Sequence, residues 1–454
     1  MSDTSAPDAV QTYARAEQAL LARWPETRLE PSLDRIQAFT ELLGDPQRTY
    51  PVVHLTGTNG KTSTSRMIDT LIRATGLRTG RFTSPHVQSM TERISLDGEP
   101  LTEDQFVEAY NDVAAVARLA DEEGTFPLSF FETVVGMAYA TFANAPVDAA
   151  VVEVGMGGAW DATNVADAAV AVILPVAVDH ASYLGARPVD IAREKAGIIK
   201  AGTTVVCAVQ ADDVAEVIAE RAAEVGATVL WEGRDFGVTH RLPAVGGQML
   251  KLQGLRGEYD EVFLPLYGAH QAQNAAVALA AVEAFLGGDE LDADLVRGAF
   301  EEVSSPGRLE IIRRSPTILL DAAHNPHGAA AVVDALEDSF TFDPLIGVVG
   351  VMADKDYEGV LAAFEPAMAA VVCTRNNSPR SMPAEDLAEV ARGVFGTDRV
   401  YVAPRLHDAI DQAATLAEEG GVFGEAIGSG AVLITGSVVT VGEARRMLRP
   451  AERR

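Results

Sequence analysis

Short, nearly unbroken apolar runs alternate along the chain with segments in which apolar residues return every third or fourth position. The runs read as buried strands, and the periodic segments as helices that lay one face on them. In the N-terminal part the runs fall at 50–55, 149–154, 170–174 and 204–208. Residues 32–43 carry the helical period, with Leu33, Ile36, Phe39, Leu42 and Leu43 on one face. Another helix opens near Lys61 and places Met67, Ile68, Leu71 and Ile72 on one stripe, as a helix packed on a sheet does. A second series starts after Ser304-Ser305-Pro306-Gly307, a small-residue and proline break suited to a hinge. Its strands are expected at 318–321, 345–352, 371–374, 399–402 and 431–435, with helical periodicity over 328–336, 384–394 and 406–419. Alternation of this kind implies parallel sheets with crossover helices. The expected architecture is α/β in two domains, a larger one over 1–304 and a smaller one over 305–454.

Composition narrows the function more than the fold. With 454 residues, 48% hydrophobic and 22% charged, the chain is an ordinary globular sequence able to bury large cores. A formal charge of −29 argues against a partner that presents a phosphate backbone, because such binders need a basic surface. An anionic substrate would therefore need a locally basic site within an acidic body. Cys207 and Cys373 are too few for a disulfide framework and lack metal-ligand spacing. The N-terminus shows no basic stretch followed by an apolar core, and no uncharged apolar run approaches the roughly 20 residues that span a bilayer. The expectation is a cytoplasmic protein with neither nucleic-acid nor membrane partners.

The strongest local signal is Thr56-Gly57-Thr58-Asn59-Gly60-Lys61-Thr62-Ser63, set between a strand and a helix. Phosphate binding needs this context: glycines let backbone N–H groups approach, the helix N-terminus adds partial positive charge, and a lysine meets the β- and γ-phosphates. The strict GxxxxGK[ST] spacing fails, because Leu55 stands at the place of the first glycine.

From this loop onward the sequence resembles the folylpolyglutamate synthase and dihydrofolate synthase family of the Mur ligase superfamily. Thr83-Ser84-Pro85-His86, Thr91-Glu92-Arg93-Ile94 and Val152-Glu153-Val154-Gly155-Met156-Gly157-Gly158 carry the resemblance. It continues, in order, through Asp161-Ala162-Thr163-Asn164, Asp179-His180 and Arg193-Glu194-Lys195-Ala196-Gly197-Ile198. Gly268-Ala269-His270-Gln271, Pro306-Gly307-Arg308 and Asp321-Ala322-Ala323-His324-Asn325-Pro326 complete it. The resemblance implies a P-loop-type ATP-binding N-terminal domain that also holds the pterin, and a Rossmann-like C-terminal domain. It implies a ligase that adds L-glutamate to dihydropteroate, to reduced folates, or to both, through an acyl phosphate, as a monomer.

The roles that follow are those of the family, carried onto matching positions. Thr58, Asn59, Gly60, Lys61 and Thr62 would meet the ATP phosphates, with Asn274, Arg308 and Asp321 completing a nucleotide site between the domains. Two Mg²⁺ ions would be held, the first by Ser84 and Glu153, the second by His180 and by Lys195 carboxylated on its side-chain nitrogen. The modification has a physical reason, since an ammonium cannot ligate Mg²⁺ whereas a carbamate offers hard oxygens. Lys61, Glu153, His180, Lys195 and Arg308 would carry the catalysis. Ser129, Phe130, Phe131, Glu132, Trp160, Asp161 and Ala162 would line the pterin pocket, with Leu29, Glu30 and Arg35 near its lid. Taken singly, Glu153 also reads as a strand terminus, His180 as a core histidine, Lys195 as one half of a solvated ion pair, and the paired phenylalanines as core.

Two positions depart from the family pattern. Ala159 stands where arginine is usual after Gly157-Gly158, and Ser182 where an acidic residue is usual. Losing the arginine removes a fixed charge and a planar hydrogen-bonding fork, so low folate affinity or a slow ligation is expected. The competing readings are a Mur-type amino-acid ligase of cell-wall synthesis and a non-catalytic ATP-binding homologue. Only 56 residues precede Gly57, short for the extra domain of the first, and Ala159 is what favours the second.

Overall fold

The computed structural model describes residues 9–25, 31–419 and 430–449. The first sheet has strands β1 (Val52–Thr56), β2 (Thr79–Phe82), β3 (Ile94–Leu96), β4 (Glu99–Pro100), β5 (Ala149–Glu153), β6 (Val170–Ile173), β7 (Thr204–Cys207) and β8 (Thr228–Trp231). Their order is β4-β3-β2-β5-β1-β6-β7-β8. The strands from β2 to β8 in that order run parallel, and β3 and β4 close one edge antiparallel. β1 and β5 are buried at every position, as strands covered on both faces must be. The chain leaves β1 toward β2 on one side and leaves β5 toward β6 on the other. This makes the C-terminal ends of β1, β5 and β6 a topological switch point, where open α/β sheets bind ligands.

Three further strands, β9 (Gly237–Ala244), β10 (Gly247–Gln253) and β11 (Glu258–Leu264), form a small sheet in the order β11-β10-β9. The last sheet takes β12 (Glu310–Arg314), β13 (Thr317–Leu320), β14 (Leu345–Val349), β15 (Ala370–Arg375), β16 (Val400–Arg405) and β17 (Ala431–Thr435), in the order β12-β13-β17-β14-β15-β16. It is parallel except for β12.

The chain separates into two compact units. The first comprises Met1–His240, Leu250–Phe263 and Gln273–Val303, and the second Arg241–Met249, Leu264–Ala272 and Ser304–Arg454. The second unit thus takes two short pieces that a single cut at 304/305 leaves in the first. Phe39, Phe82, Phe106, Tyr139 and Phe142 lie at the centre of one core. Val349, Phe364, Val371, Leu387 and Leu433 lie at the centre of another, in the second unit. Each such side chain contributes about 1.5–3 kcal/mol by leaving water.

β2 is the strand that apolar runs do not reveal, since Thr79-Gly80-Arg81-Phe82 is polar and carries a glycine. It is nevertheless fully buried. Arg81 donates to Asp69 at 2.9 Å and to Ser95 at 3.1 Å. A side chain at position 80 would place its Cβ 2.4 Å from the Phe142 ring.

Candidate active site

The loop between β1 and the Lys61–Ala74 helix is fixed by close approach. A Cβ on Gly57 would lie 2.5 Å from the Leu174 Cβ, so only glycine lets the loop pass over the end of β6. Gly60 has φ +87°, and a Cβ there would meet the Asn274 side chain at 2.8 Å, which seats Asn274 against the loop. Thr58 accepts from the Ala177 amide at 2.9 Å and donates to the Ala177 carbonyl at 2.8 Å, tying the loop to the segment after β6. Asn59 is half-buried in the same turn.

Two lysines converge on one carbonyl. Lys61 Nζ and Lys195 Nζ each donate to the Gly57 oxygen at 2.9 Å. Lys195 ends the Pro188–Lys195 helix and is 4% exposed, so the solvated ion-pair reading of this residue is set aside. Burial, reinforced by the nearby positive charge of Lys61, lowers its pKa to about 7, against the opposing pull of Asp179, Asp161 and Glu194. A lysine that readily gives up its proton is the form an amine needs to capture CO₂.

Glu153 ends β5 and is 1% exposed, with both carboxylate oxygens 3.1 Å from the Thr62 hydroxyl. Ser84 leaves β2 at the same end of the sheet, since Phe82 lies opposite Val152 in the parallel register. His180 holds a left-handed φ of 53° at the start of the Ala181–Leu184 turn, with Nε2 3.9 Å from Asp179 Oδ2. Hydroxyl and carboxylate oxygens suit Mg²⁺. Among the described residues no three His, Cys, Asp or Glu side chains cluster as a cage.

The segment after β5 folds back on itself as a loop over residues 155–164, the candidate substrate loop. Thr56 Oγ1 donates to the Gly157 carbonyl at 2.7 Å. A Cβ on Gly158 would strike the Glu194 and Lys195 carbonyls at 2.8 Å. The Ala159 amide donates to the Glu194 carbonyl at 2.9 Å and the Trp160 amide to Glu194 Oε1 at 3.2 Å. Asp161 is 3% exposed and accepts from the Met156 amide at 2.9 Å, the Thr163 amide at 3.0 Å and the Thr163 hydroxyl at 2.5 Å. Burial raises its pKa and these donors oppose the rise. Ala162 follows, buried, in a short 3₁₀ turn.

Ser129 and Glu132 form a capping box at the start of the Phe130–Asn144 helix. Glu132 also receives Arg35 Nε at 2.9 Å, so its oxygens are engaged within the chain. Phe130 is buried with the Arg93 guanidinium 4.9 Å from its ring centroid, the packing of a core residue. Phe131 is half-buried and lies against the substrate loop, for a Cβ on Gly155 would sit 2.5 Å from its ring. Leu29 and Glu30 lie outside the described residues.

In the second unit Asp321 is buried and accepts the Leu309 amide at 2.9 Å and the Ala323 amide at 2.8 Å. Burial raises its pKa, opposed first by Arg308, which is half-buried beside it. Sequence reasoning assigned no role to Thr163, Glu194 or His54, which organise the two loops. Thr163 and Glu194 stand inside the resembling motifs, while His54 left only a polar residue in an apolar run as its sign.

Known proteins resemble this chain along most of its length. Residues 129–282 match the Mur ligase middle domain, and residues 307–438 match the Mur ligase glutamate ligase domain. The chain is 49% identical to the dihydrofolate synthase/folylpolyglutamate synthase of Mycobacterium tuberculosis, over 97% of this chain and 95% of that one. The Escherichia coli dihydrofolate synthase/folylpolyglutamate synthase is 31% identical over 80% of this chain and 81% of its own. The structure of the M. tuberculosis folylpolyglutamate synthase complexed with ADP superposes with a TM-score of 0.93 at 48% identity, covering 98% of this chain and 99% of that one. E. coli FolC in complex with DHPP and ADP gives 0.84 at 28% identity, covering 97% and 98%. The chain belongs to the dihydrofolate synthase/folylpolyglutamate synthase family of Mur ligases.

Proposed function

We propose that the chain is an ATP-dependent ligase that joins L-glutamate to dihydropteroate, to reduced folates, or to both. The observation that carries this reading is the convergence of Lys61 and Lys195 on the Gly57 carbonyl beside the Thr62–Glu153 pair. It sets a phosphate loop, a carboxylate and a lysine depleted of its charge at one switch point. The ADP complex of the M. tuberculosis relative and the DHPP and ADP complex of the E. coli relative support the same reading.

In the reaction a carboxylate oxygen of the pterin substrate attacks the γ-phosphorus of ATP, ADP leaves, and an acyl phosphate forms. The glutamate amine then attacks the acyl carbon, loses a proton and expels inorganic phosphate from the tetrahedral intermediate. Thr58, Asn59, Gly60, Lys61 and Thr62 bind and orient the phosphates, and Lys61 leaves its loop carbonyls to meet the transferring group. Arg308, Asp321 and Asn274 complete the nucleotide site. Ser84 and Glu153 would hold one Mg²⁺, and His180 with a carboxylated Lys195 would hold the other. When bound, magnesium offsets the negative charge of the phosphoryl oxygens. Phe131 and Trp160 receive the pteridine ring, with Ser129, Phe130, Glu132, Asp161 and Ala162 shaping the pocket around them. We place the protein in the cytoplasm as a monomer; among the described residues no helix is long and apolar enough to cross a membrane.

The test is ADP release by purified protein with Mg-ATP and glutamate, with dihydropteroate and tetrahydrofolate supplied in separate reactions. Turnover that depends on either pterin is expected. ATP binding without pterin-dependent turnover, in the unaltered protein and in Ala159→Arg alike, would refute the reading.

A further inference from the structure

β1 is flanked on both sides and buried throughout, a setting that β-branched and aliphatic residues normally fill. At its centre stands His54, opposite Val152 of β5 and Ala171 of β6, with no exposed surface. Burial, and then the charge of Lys200, lowers its pKa to about 3, so the ring is neutral. Its Nε2 lies 2.8 Å from Thr163 Oγ1. The Thr163 hydroxyl in turn donates to Asp161 Oδ1 at 2.5 Å.

The direction of the thread follows from counting protons. An ionised carboxylate only accepts, and a threonine hydroxyl has one proton. Asp161 takes that proton, so Thr163 Oγ1 must accept from the ring. His54 therefore carries its proton on Nε2 and leaves Nδ1 bare. The Nδ1 atom is in fact buried without a hydrogen-bond partner, which a lone pair tolerates better than an N–H. Two residues further on, Thr56 of the same strand donates to the Gly157 carbonyl at 2.7 Å. The strand that delivers the phosphate loop thus fastens the substrate loop at two points.

We propose that His54 is a positioning residue for the pterin substrate: through Nε2–H and the Thr163 hydroxyl it orients Asp161 and so sets the loop that receives the pteridine ring. The pteridine part rests on the proposed function; the thread itself does not. The cost of burying a neutral imidazole is offset only if both links of the thread are made.

Three variants separate positioning from packing. His54→Gln keeps an N–H donor close to the Nε2 position, His54→Asn is too short to reach Thr163, and His54→Leu fills the space without a donor. Loss of a charge-linked hydrogen bond should raise the KM for dihydropteroate or tetrahydrofolate about tenfold in His54→Asn and His54→Leu. The KM for ATP should stay within about twofold in all three, and His54→Gln should lie near the unaltered enzyme. Equal KM values in the Gln, Asn and Leu variants, or a parallel rise for ATP, would overturn the positioning role. The second measurement needs no substrate: nitrogen-15 NMR of histidine-labelled full chain, with the His54 signal identified by its loss in His54→Gln. A proton on Nε2 is expected, and a proton on Nδ1 would overturn the thread. Absence of pterin-dependent turnover in the unaltered protein would overturn the proposed function and the pteridine assignment together, leaving the tautomer to decide the thread.

Discussion

Glu132 offers a perturbation whose size follows from the geometry. Its carboxylate closes the capping box by accepting the Ser129 amide at 2.7 Å and takes Arg35 Nε at 2.9 Å. In Glu132→Ala the cap loses about 1 kcal/mol. Removing one partner of a fully buried ion pair costs about 3–5 kcal/mol. The Arg35 side chain is 18% exposed and can turn to water, so about 1–2 kcal/mol is the fitting share here. The sum is about 2–3 kcal/mol at the start of the Phe130–Asn144 helix. A chain with two compact units has no single unfolding free energy, so the assay is native-state hydrogen exchange. The amides to follow are those of Glu132, which donates to Ser129 Oγ at 3.1 Å, and Thr133, which donates to the Ser129 carbonyl at 3.1 Å. They should exchange about 30- to 140-fold faster in Glu132→Ala. Glu132→Gln retains an acceptor for Ser129 and should show only the ion-pair share, while Arg35→Met combined with Glu132→Ala should add little. Acceleration below about threefold at Thr133 would refute the reasoning, because neither the cap nor the pair would then be stabilising the helix start.

Other outcomes follow from single features. Gly57→Ala should weaken ADP binding about tenfold or more by calorimetry, since its Cβ would lie 2.5 Å from Leu174, and unchanged affinity would show that the loop yields freely. Lys195 sits at about 7 through burial and then Lys61, so its uncharged amine grows as pH rises through that value. Uptake of ¹³C-bicarbonate as a carbamate should therefore increase between about pH 6 and pH 8 and vanish in Lys195→Arg; a flat profile contradicts it. Ala159 is half-buried, so part of its surface faces outward. Ala159→Arg should raise kcat/KM for the pterin substrate about tenfold, and no gain would remove Ala159 as a cause of low activity. Cys207 and Cys373 are buried and their thiols are pushed up to about 12, so neither should react with a thiol reagent in the native protein at neutral pH.

Much of the scaffold was legible because parallel strands covered on both faces must be apolar. The runs at 149–154, 170–174 and 204–208 became β5, β6 and β7 with ends shifted by one residue. β2 was hidden because its burial rests on an Arg81–Asp69 pair and on a glycine under Phe142, features that read as surface in one dimension. The strands β9, β10 and β11 were hidden because β9 has no buried position and exposed and buried positions mix along β10 and β11, so no apolar run marks them. At the site, Lys61 and Glu153 could be placed by motif order. That Lys195 is buried, and shares a carbonyl with Lys61, could not, since its neighbours Arg193 and Glu194 suggest a solvated turn. His54 was the least visible, for one polar residue in a strand gives no hint of a partner 109 positions away.

The interleaving of the two units has a consequence for synthesis. The chain passes between them at 240/241, 249/250, 263/264, 272/273 and 303/304. Arg241 leaves the ribosome 97 residues ahead of Asp338, with which it pairs. Tyr267 likewise precedes Phe340, against which its ring packs at 4.7 Å. At about 5–20 residues per second, Arg241 waits roughly 5 to 20 seconds for its partner. By then β1 to β8 have all been made, so the nascent first unit can close its sheet while two segments of the second still lack theirs. A fragment ending at 304 would carry those segments permanently unmatched, and a translational pause within this window should favour chaperone capture or cleavage near 241–272 rather than in β1 to β8.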